Sequence, residues 1–454
     1  MSFDNRSALP PYIAEAAPNP ESNRAAWYRN TAPSYAGIFL WIVFYQSIAE
    51  GSLNHAGPLF CILAVAIAGV LSWALFYYAP AMLGMKTGLP LYVVGSSTFG
   101  TMGGYLMPGL LMGALQVGWF AVGTYYPTVF ILRGLGRDPR PATLPFAIVA
   151  VAWGYILGYV GVKGIKYVAK ISTYLSIIPA VMLLVVFSKT AGGISKYVVP
   201  SPNYFLAITT IVQAILGFFA TAGAAGSDFG MNSRDARDVR LGGFVGIALA
   251  VTYAGALPLL SVAGAHGNTP GLGYSYDAII VSMGGFLAST MFFLFAIASV
   301  TPACFVAFIA SNSFSTMIPR VTRMQSSIVG VTIAVILAVS GYAANLVVVF
   351  SIVGASFGPI CGAMLADYLL SGKKWAGPRL GINWAGYAAW AVGFVIGILP
   401  LPFMPVPDAI KMYAQPAALY SLIAGFIVYV IVAKAGGQPE TVASAILTTQ
   451  REEA

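Results

Sequence analysis

Phe44-Tyr45-Gln46-Ser47-Ile48-Ala49-Glu50-Gly51-Ser52 and Phe218-Phe219-Ala220-Thr221-Ala222-Gly223-Ala224-Ala225-Gly226-Ser227-Asp228 are the two stretches that decide the fold. Each lies in an apolar run, and each is interrupted by small and polar residues. A shift of 175 residues aligns them: Phe44 meets Phe219, Ala49 meets Ala224, Gly51 meets Gly226 and Ser52 meets Ser227. Paired, interrupted apolar segments at matching places in two halves point to a transporter's midplane site, where unwound backbone offers N–H and C=O groups to a solute. Small residues that pack helices closely together give a similar composition, so the rest of the chain must decide.

The chain has 454 residues, of which 58% are hydrophobic and 8% charged; mean hydropathy is +0.81. A soluble surface carries roughly 25–35% charged residues, which excludes a soluble enzyme, a nucleic-acid binder and a disordered chain. The net charge of +9 does not suggest nucleic acid, because the 23 basic residues form short clusters between apolar runs. That pattern reads as membrane topology. An outer-membrane barrel would show alternating strands of about ten residues, and this chain does not. Cys61, Cys304 and Cys361 all fall inside apolar runs, with no metal-site spacing. They are expected to be buried thiols.

A bilayer core takes roughly 20 apolar residues per helix. Twelve candidates lie near 33–53, 58–84, 103–132, 144–162, 168–188, 204–226, 241–264, 281–312, 325–342, 345–371, 382–401 and 414–434. The expected fold is an all-α polytopic membrane protein with broken helices one and six. A ten-helix core at 31–371 divides into repeats at about 31–190 and 204–371, followed by two further helices at 382–434. Residues 1–30 are polar, carry four prolines and lack an apolar leader. They read as a loose tail, as do 435–454. With both termini cytoplasmic, 17 Lys and Arg fall inside and 6 outside. The inner set includes Arg6, Lys166, Lys170, Arg234, Arg320, Arg323 and Arg451. This excess sets the orientation in a plasma (inner) membrane.

An ionisable side chain within a span costs roughly 2.5–3.5 kcal/mol on the insertion scale and needs a reason. Asp228, near Arg234 and Arg237, and Asp367, near Lys373, read as ion pairs at helix ends. Glu50 has no basic neighbour in sequence and faces an outer vestibule or couples transport. In the third segment, Gln116 and Trp119 are three apart and share a helix face. An amide beside an indole suits a flat heterocycle, whose ring stacks while its edges hydrogen-bond. A Trp packed between helices is the other reading.

The sequence resembles the nucleobase:cation symporter family, most closely its cytosine-permease branch. The residues that carry this are Lys86-Thr87-Gly88-Leu89-Pro90, Gln116 through Gly123, Ala222-Gly223 with Ser227-Asp228-Phe229, Gly358 through Gly362 with Ala366-Asp367-Tyr368, and Ile382-Asn383-Trp384. The resemblance spans about residues 25–434. It implies the fold shared with amino-acid and sodium-coupled transporters, two five-helix inverted repeats and two more helices. It implies import of a nucleobase by cation symport with alternating access. Trp119 would stack on one face of the base and Phe219 on the other. Gln116 would supply an amide, Ala222 its backbone, and Gln46 a contact from unwound helix one.

The sequence departs from that branch in three places. Phe218 stands where the branch has a small hydroxyl residue, and Glu50 where it has a small residue. The stretch Ala298 to Cys304 lacks the Asn that follows the helix-eight hydroxyls. No cofactor is expected beyond a coupling ion, sodium or a proton. Sodium would sit on Ser299 and Thr301, but these point about 200° apart on a regular helix. Burial disfavours a charged carboxylate, so Glu50 is the candidate proton carrier. No obligate protein partner is evident. A hydantoin, allantoin or a vitamin-precursor pyrimidine remains open as cargo. An enzyme is disfavoured because Asp235 and Asp238 form a single acidic pair interleaved with arginine, and a channel because it would lack coupled accumulation.

Overall fold

The computed structural model describes residues 9–442, apart from Ser176 and the side chains of 164–173. The outer parts of both tails, with Arg6 and Arg451, lie outside the described residues, as do the side chains of Lys166 and Lys170.

In chain order the main helices are α1 (Thr31–Phe39), α2 (Pro58–Thr87), α3 (Tyr105–Gly134), α4 (Leu144–Leu175), α5 (Ile177–Thr190), α6 (Tyr204–Ala224), α7 (Ala236–Asn268), α8 (Gly285–Met317), α9 (Arg323–Val339), α10 (Leu346–Leu370), α11 (Trp384–Ile398) and α12 (Ala417–Lys434). Nine helices among the described residues are long and apolar enough to cross a membrane; α9 and α11 are apolar but shorter. A bilayer leaves no water for unpaired backbone groups, and polar side chains accordingly sit at the helix starts. Asn203 Oδ1 accepts from Leu206 N–H at 3.0 Å, and Asn345 Oδ1 from Val348 N–H at 3.1 Å. Thr322 and Gln325 cap α9 reciprocally. Gly88 closes α2 in the left-handed conformation, at φ 68°, where a side chain would be strained.

The helices sort into two groups by packing. α3, α4, α8 and α9 pack on one another, while α2, α6 and α7 form a second bundle. α10 lies on α6, and α12 packs on α10 and α11. Small residues bring backbones together within the second group. A Cβ on Gly69 would meet the Ala248 carbonyl at 2.9 Å, and one on Gly217 would strike the Phe350 carbonyl.

Three breaks matter for function. α1 stops at Phe39, Trp41 is extended, and a single turn Ile42–Tyr45 follows. α6 stops at Ala224, skips Ala225 and resumes as Gly226–Gly230. α8 is interrupted at Ser299. The breaks in α1 and α6 were expected; the one at Ala225 lies within the stretch Phe218–Asp228, while the one at Trp41 precedes Phe44–Ser52. They fall at Trp41 and Ala225, which the 175-residue shift does not align. Residues 163–167, expected as a loop, are helical within α4.

The described part of the N-terminal tail is not loose. Tyr12 donates to the Thr101 carbonyl at 2.7 Å, Asn19 N–H to the Gly88 carbonyl at 2.8 Å, and Ala25 N–H to the Asn232 carbonyl at 2.9 Å. Prolines fix the backbone here, and the exposed carbonyls of neighbouring turns supply the partners. At the other terminus Val442 N–H bonds the Pro378 carbonyl at 2.7 Å. All three cysteines are buried and free, as expected.

Candidate functional site

A cavity of about 570 Å³ lies between the two helix groups. Its walls come from α1, α3, α6 and α8, and it meets the breaks at Trp41 and Ala225 and, through Ala298 and Thr301, the flanks of the break in α8. A helix break puts unpaired backbone groups and bulky side chains at the same depth.

The floor is aromatic. Trp41, Trp119 and Phe218 line it, with ring centroids 6.1 Å apart for the two indoles and 5.2 Å for Trp119 and Phe218. The Trp119 indole N–H donates to Thr221 Oγ1 at 3.2 Å, which fixes the ring. The Trp41 N–H donates to Ser299 Oγ at 3.2 Å and ties α1 to the break in α8. Gln116 lines the same wall one turn from Trp119; its one hydrogen-bond contact among the described residues is weak, Nε2 to Met112 Sδ at 3.4 Å. Thr301, Asn312 and Thr316 also face the cavity. Thr301 Oγ1 and Asn312 Oδ1 are buried and, among the described residues, without a hydrogen-bond partner. An unpaired buried oxygen costs about 1–3 kcal/mol, which a hydrogen-bonding solute would offset.

The structure thus brings Gln116, Trp119, Ala222 and Thr301 to one cavity. It does not bring four other candidates there. Phe219 is fully buried behind the wall, stacked on Phe39 at 5.5 Å, and Phe218 takes the cavity face. A helix turns by 100° per residue, so one of two adjacent rings must face away. Nor do Trp119 and Phe218 form an open slot. They meet at 78°, edge to face, whereas a ring held between two faces needs them roughly 7 Å apart. Gln46 is buried outside the cavity with Oε1 unpartnered, and its carbonyl accepts from Tyr276 N–H at 2.9 Å. Ser299 is fully buried and donates to the Phe295 carbonyl at 2.8 Å, so it and Thr301 have different surroundings. Glu50 is exposed in the turns after Tyr45 and does not line the cavity.

Two readings of the aspartates change. Asp367 pairs with Arg379 at 3.2 Å rather than with Lys373, and accepts from Ser97 at 2.7 Å and Tyr429 at 2.9 Å. Asp228 pairs with neither Arg234 nor Arg237. Arg234 is held by Asp238 at 2.6 Å, while Asp228 lines the cavity. Trp41, Phe218, Asn312, Asp228 and Arg323 are among the lining residues that the sequence did not assign to a site. For Trp41 the available signal was an aromatic within the interrupted first helix. For Asn312 it was its spacing of eleven from Thr301, which repeats the same helix face.

Residues 18–419 match the family described as permeases for cytosine/purines, uracil, thiamine and allantoin.

The chain belongs to this permease family.

Two cytosine permeases are similar to it. That of Escherichia coli O157:H7 is 25% identical over 326 residues, 69% of this chain and 73% of the relative. That of Escherichia coli strain K12 is 24% identical over 331 residues, with the same coverage. Among solved structures, a nucleobase-cation-symport-1 family transporter, closed with bromovinylhydantoin bound, superposes with a TM-score of 0.69 at 17% identity. The match covers 98% of this chain and all of that one. A sodium-coupled sialic acid symporter, 15% identical, gives 0.54 and covers 97% and 99%. This permease is therefore an integral membrane protein with that transporter fold. It is a secondary transporter for a nucleobase or related solute, and not an enzyme.

Proposed function

We propose that the permease imports a nucleobase or a similarly small, flat heterocycle by cation symport with alternating access across the plasma (inner) membrane. One observation carries this reading: the aromatic floor of Trp41, Trp119 and Phe218 with the weakly held amide of Gln116 beside it, at the level of the helix breaks. The ring rests on the indole of Trp119, with Phe218 at its edge. Gln116 reads the ring's donors and acceptors, Thr301 and Asn312 supply further oxygens, and Ala222 presents backbone. Cytosine is one candidate; a purine, uracil, allantoin, hydantoin or vitamin-precursor pyrimidine fits the same chemistry.

On this reading α9, α11 and the broken α1 cross the membrane as well, which makes twelve spans in two inverted five-helix repeats and a final pair. The 17-to-6 bias of basic residues places both termini and Arg323 in the cytoplasm. The cavity reaches the exposed residues Pro33, Ser34 and Arg323, so the conformation is inward-open. Glu50 stands at the outer end, where it can exchange a proton with external water. Ser299 and Thr301 remain the sodium candidates, which would require α8 to turn at its break.

The test is a thermal-shift screen of purified protein against cytosine, uracil, hypoxanthine, allantoin and hydantoin, followed by counterflow of each hit in proteoliposomes. A ligand at 100 times its dissociation constant stabilises by about 2.7 kcal/mol. Absence of any shift and any counterflow across the panel would sink the reading.

A further inference from the structure

Among the described residues that line the cavity, Asp228 is the only carboxylate and Arg323 the only cation. Asp228 lies beyond the end of the span Tyr204–Ala224, in the turn Gly226–Gly230. That turn is pinned to α2. Ser227 Oγ donates to the Pro80 carbonyl at 2.9 Å, and Gly230 and Gly84 press against the Ala81 and Ser227 carbonyls so closely that any side chain would collide. The backbone of Asp228 is thus fixed, and its side chain meets the cavity.

The carboxylate accepts from Leu91 N–H at 3.2 Å and from its own backbone N–H, and among the described residues it makes no ion pair. Tyr35 of α1 and Tyr92 of the turn Leu91–Val94 lie close enough to sense its charge. Tyr35 donates to the Ala222 carbonyl at 2.9 Å. Behind it, α2 carries Tyr78 and Lys86, and Lys86 donates to the Lys373 carbonyl at 2.7 Å. α6 has a single ionisable residue, Tyr204, at its far end. Arg323 stands elsewhere on the lining, on α9.

A carboxylate with two backbone donors and no counter-ion among the described residues, enclosed by a largely apolar wall, has little besides those two N–H groups and solvent at the mouth to favour its charged form. Burial pushes its carboxyl up to about 6, from an ordinary value of about 3.9. Closure of the mouth would remove that water and favour the neutral form further; opening restores it. We propose that Asp228 carries the coupling proton across the permease. The proton is taken up on the carboxylate while the cavity faces outward and the inner mouth is closed. It leaves to water at the Arg323 end when the mouth opens, and the carboxylate returns unchanged, so one proton has moved inward. This rests on the transport reading above and assigns its coupling to a residue other than Glu50.

Infrared difference spectra of the purified full-length protein, titrated from about pH 8 to about pH 5 to bracket the raised value, test the first half. A protonated-carboxyl band is expected to grow in near pH 6 and to be missing in Asp228→Asn. The band should move in Asp228→Glu, whose carboxyl sits one methylene further out. The second half is tested in sodium-free proteoliposomes containing a pH-sensitive dye. A mixture of cytosine, uracil, hypoxanthine, allantoin and hydantoin added outside should acidify the lumen with the wild type and with Asp228→Glu, and not with Asp228→Asn. An unchanged band, or acidification undiminished in Asp228→Asn, overturns the proposal. Should Asp228→Asn fail to fold, an unmoved band in Asp228→Glu overturns it equally. Failure of the transport reading looks different: no labelled solute would show counterflow with the wild type, while the infrared titration still reports on Asp228.

Discussion

The core has two ends, and the helices treat them oppositely. At the end that carries Glu50, Tyr45 meets Tyr276 at 5.1 Å and 83°, Tyr276 meets Phe295 at 6.3 Å, and Phe130 stacks on Phe292 at 6.0 Å. Arg133 pairs with Asp277 over the Phe292 ring. The short helix Tyr276–Met283 is tied to unwound helix one through the Gln46 carbonyl. At the end that carries Asp228, α1 and α6 stand apart from α3 and α8, and the cavity passes between them. The difference teaches where each end keeps its polar groups. The packed end pairs its charges across the seal, so opening it would separate Arg133 from Asp277. The open end leaves Asp228 and Arg323 without ion pairs among the described residues, on a cavity that water and solute can enter.

The largest effect is expected where the two ends meet. Trp119→Ala removes the stacking face that closes the cavity from the packed end. Base stacking is worth about 1–3 kcal/mol, so solute affinity should fall roughly 5- to 150-fold while insertion into the membrane is unchanged. Equilibrium binding with an immunoblot of the membrane fraction checks both. Unaltered affinity would remove the aromatic floor from the site.

Asp277→Asn tests the seal. It takes away one partner of a pair that is partly exposed, worth about 1 kcal/mol after screening. The equilibrium should shift about fivefold toward the form open at that end. The reporter is the alkylation rate of Tyr45→Cys from outside the cell, which should rise by that factor. A rate that does not move would show that the rings alone keep this end shut.

The smallest effect comes from the polar wall. Thr301→Val removes a buried hydroxyl that has no protein partner. If the solute bonds it, binding should weaken by about 0.5–1.5 kcal/mol; the protein itself should become slightly more stable, because an unpaired oxygen is gone. A thermal midpoint that rises without solute and rises less with it is the expected pattern. Finally, Ser34→Cys should react with a membrane-impermeant reagent in inside-out vesicles and not in intact cells. Reaction from outside would reverse the assignment of the two ends.

The contrast between neighbours Phe218 and Phe219 marks the limit of legibility. The aromatic content of this turn was visible, and so was the pairing of Gln116 with Trp119 on one helix face. Which phenylalanine faces the cavity was not. The few polar residues of α6, Thr209, Thr210, Gln213 and Thr221, make no continuous stripe that would set its rotation; packing against Phe39 and Tyr35 does. The aspartates repeat the lesson. Proximity in sequence suggested Arg234 for Asp228 and Lys373 for Asp367, but Arg234 caps its own turn through Asp238, and Arg379 reaches Asp367 across a loop.

The sequence by itself determined that this is a membrane protein of many apolar helices with breaks in the first and sixth, because span length, charge density and interrupted apolar runs are local properties. It also carried the family, through the order of several short motifs. The packing of the helices settled the break at Trp41, which ring faces the cavity, and that Asp228 has no counter-ion among the described residues. Those depend on how one helix is rotated against another, and a helix without a continuous polar stripe has its rotation set by its neighbours alone.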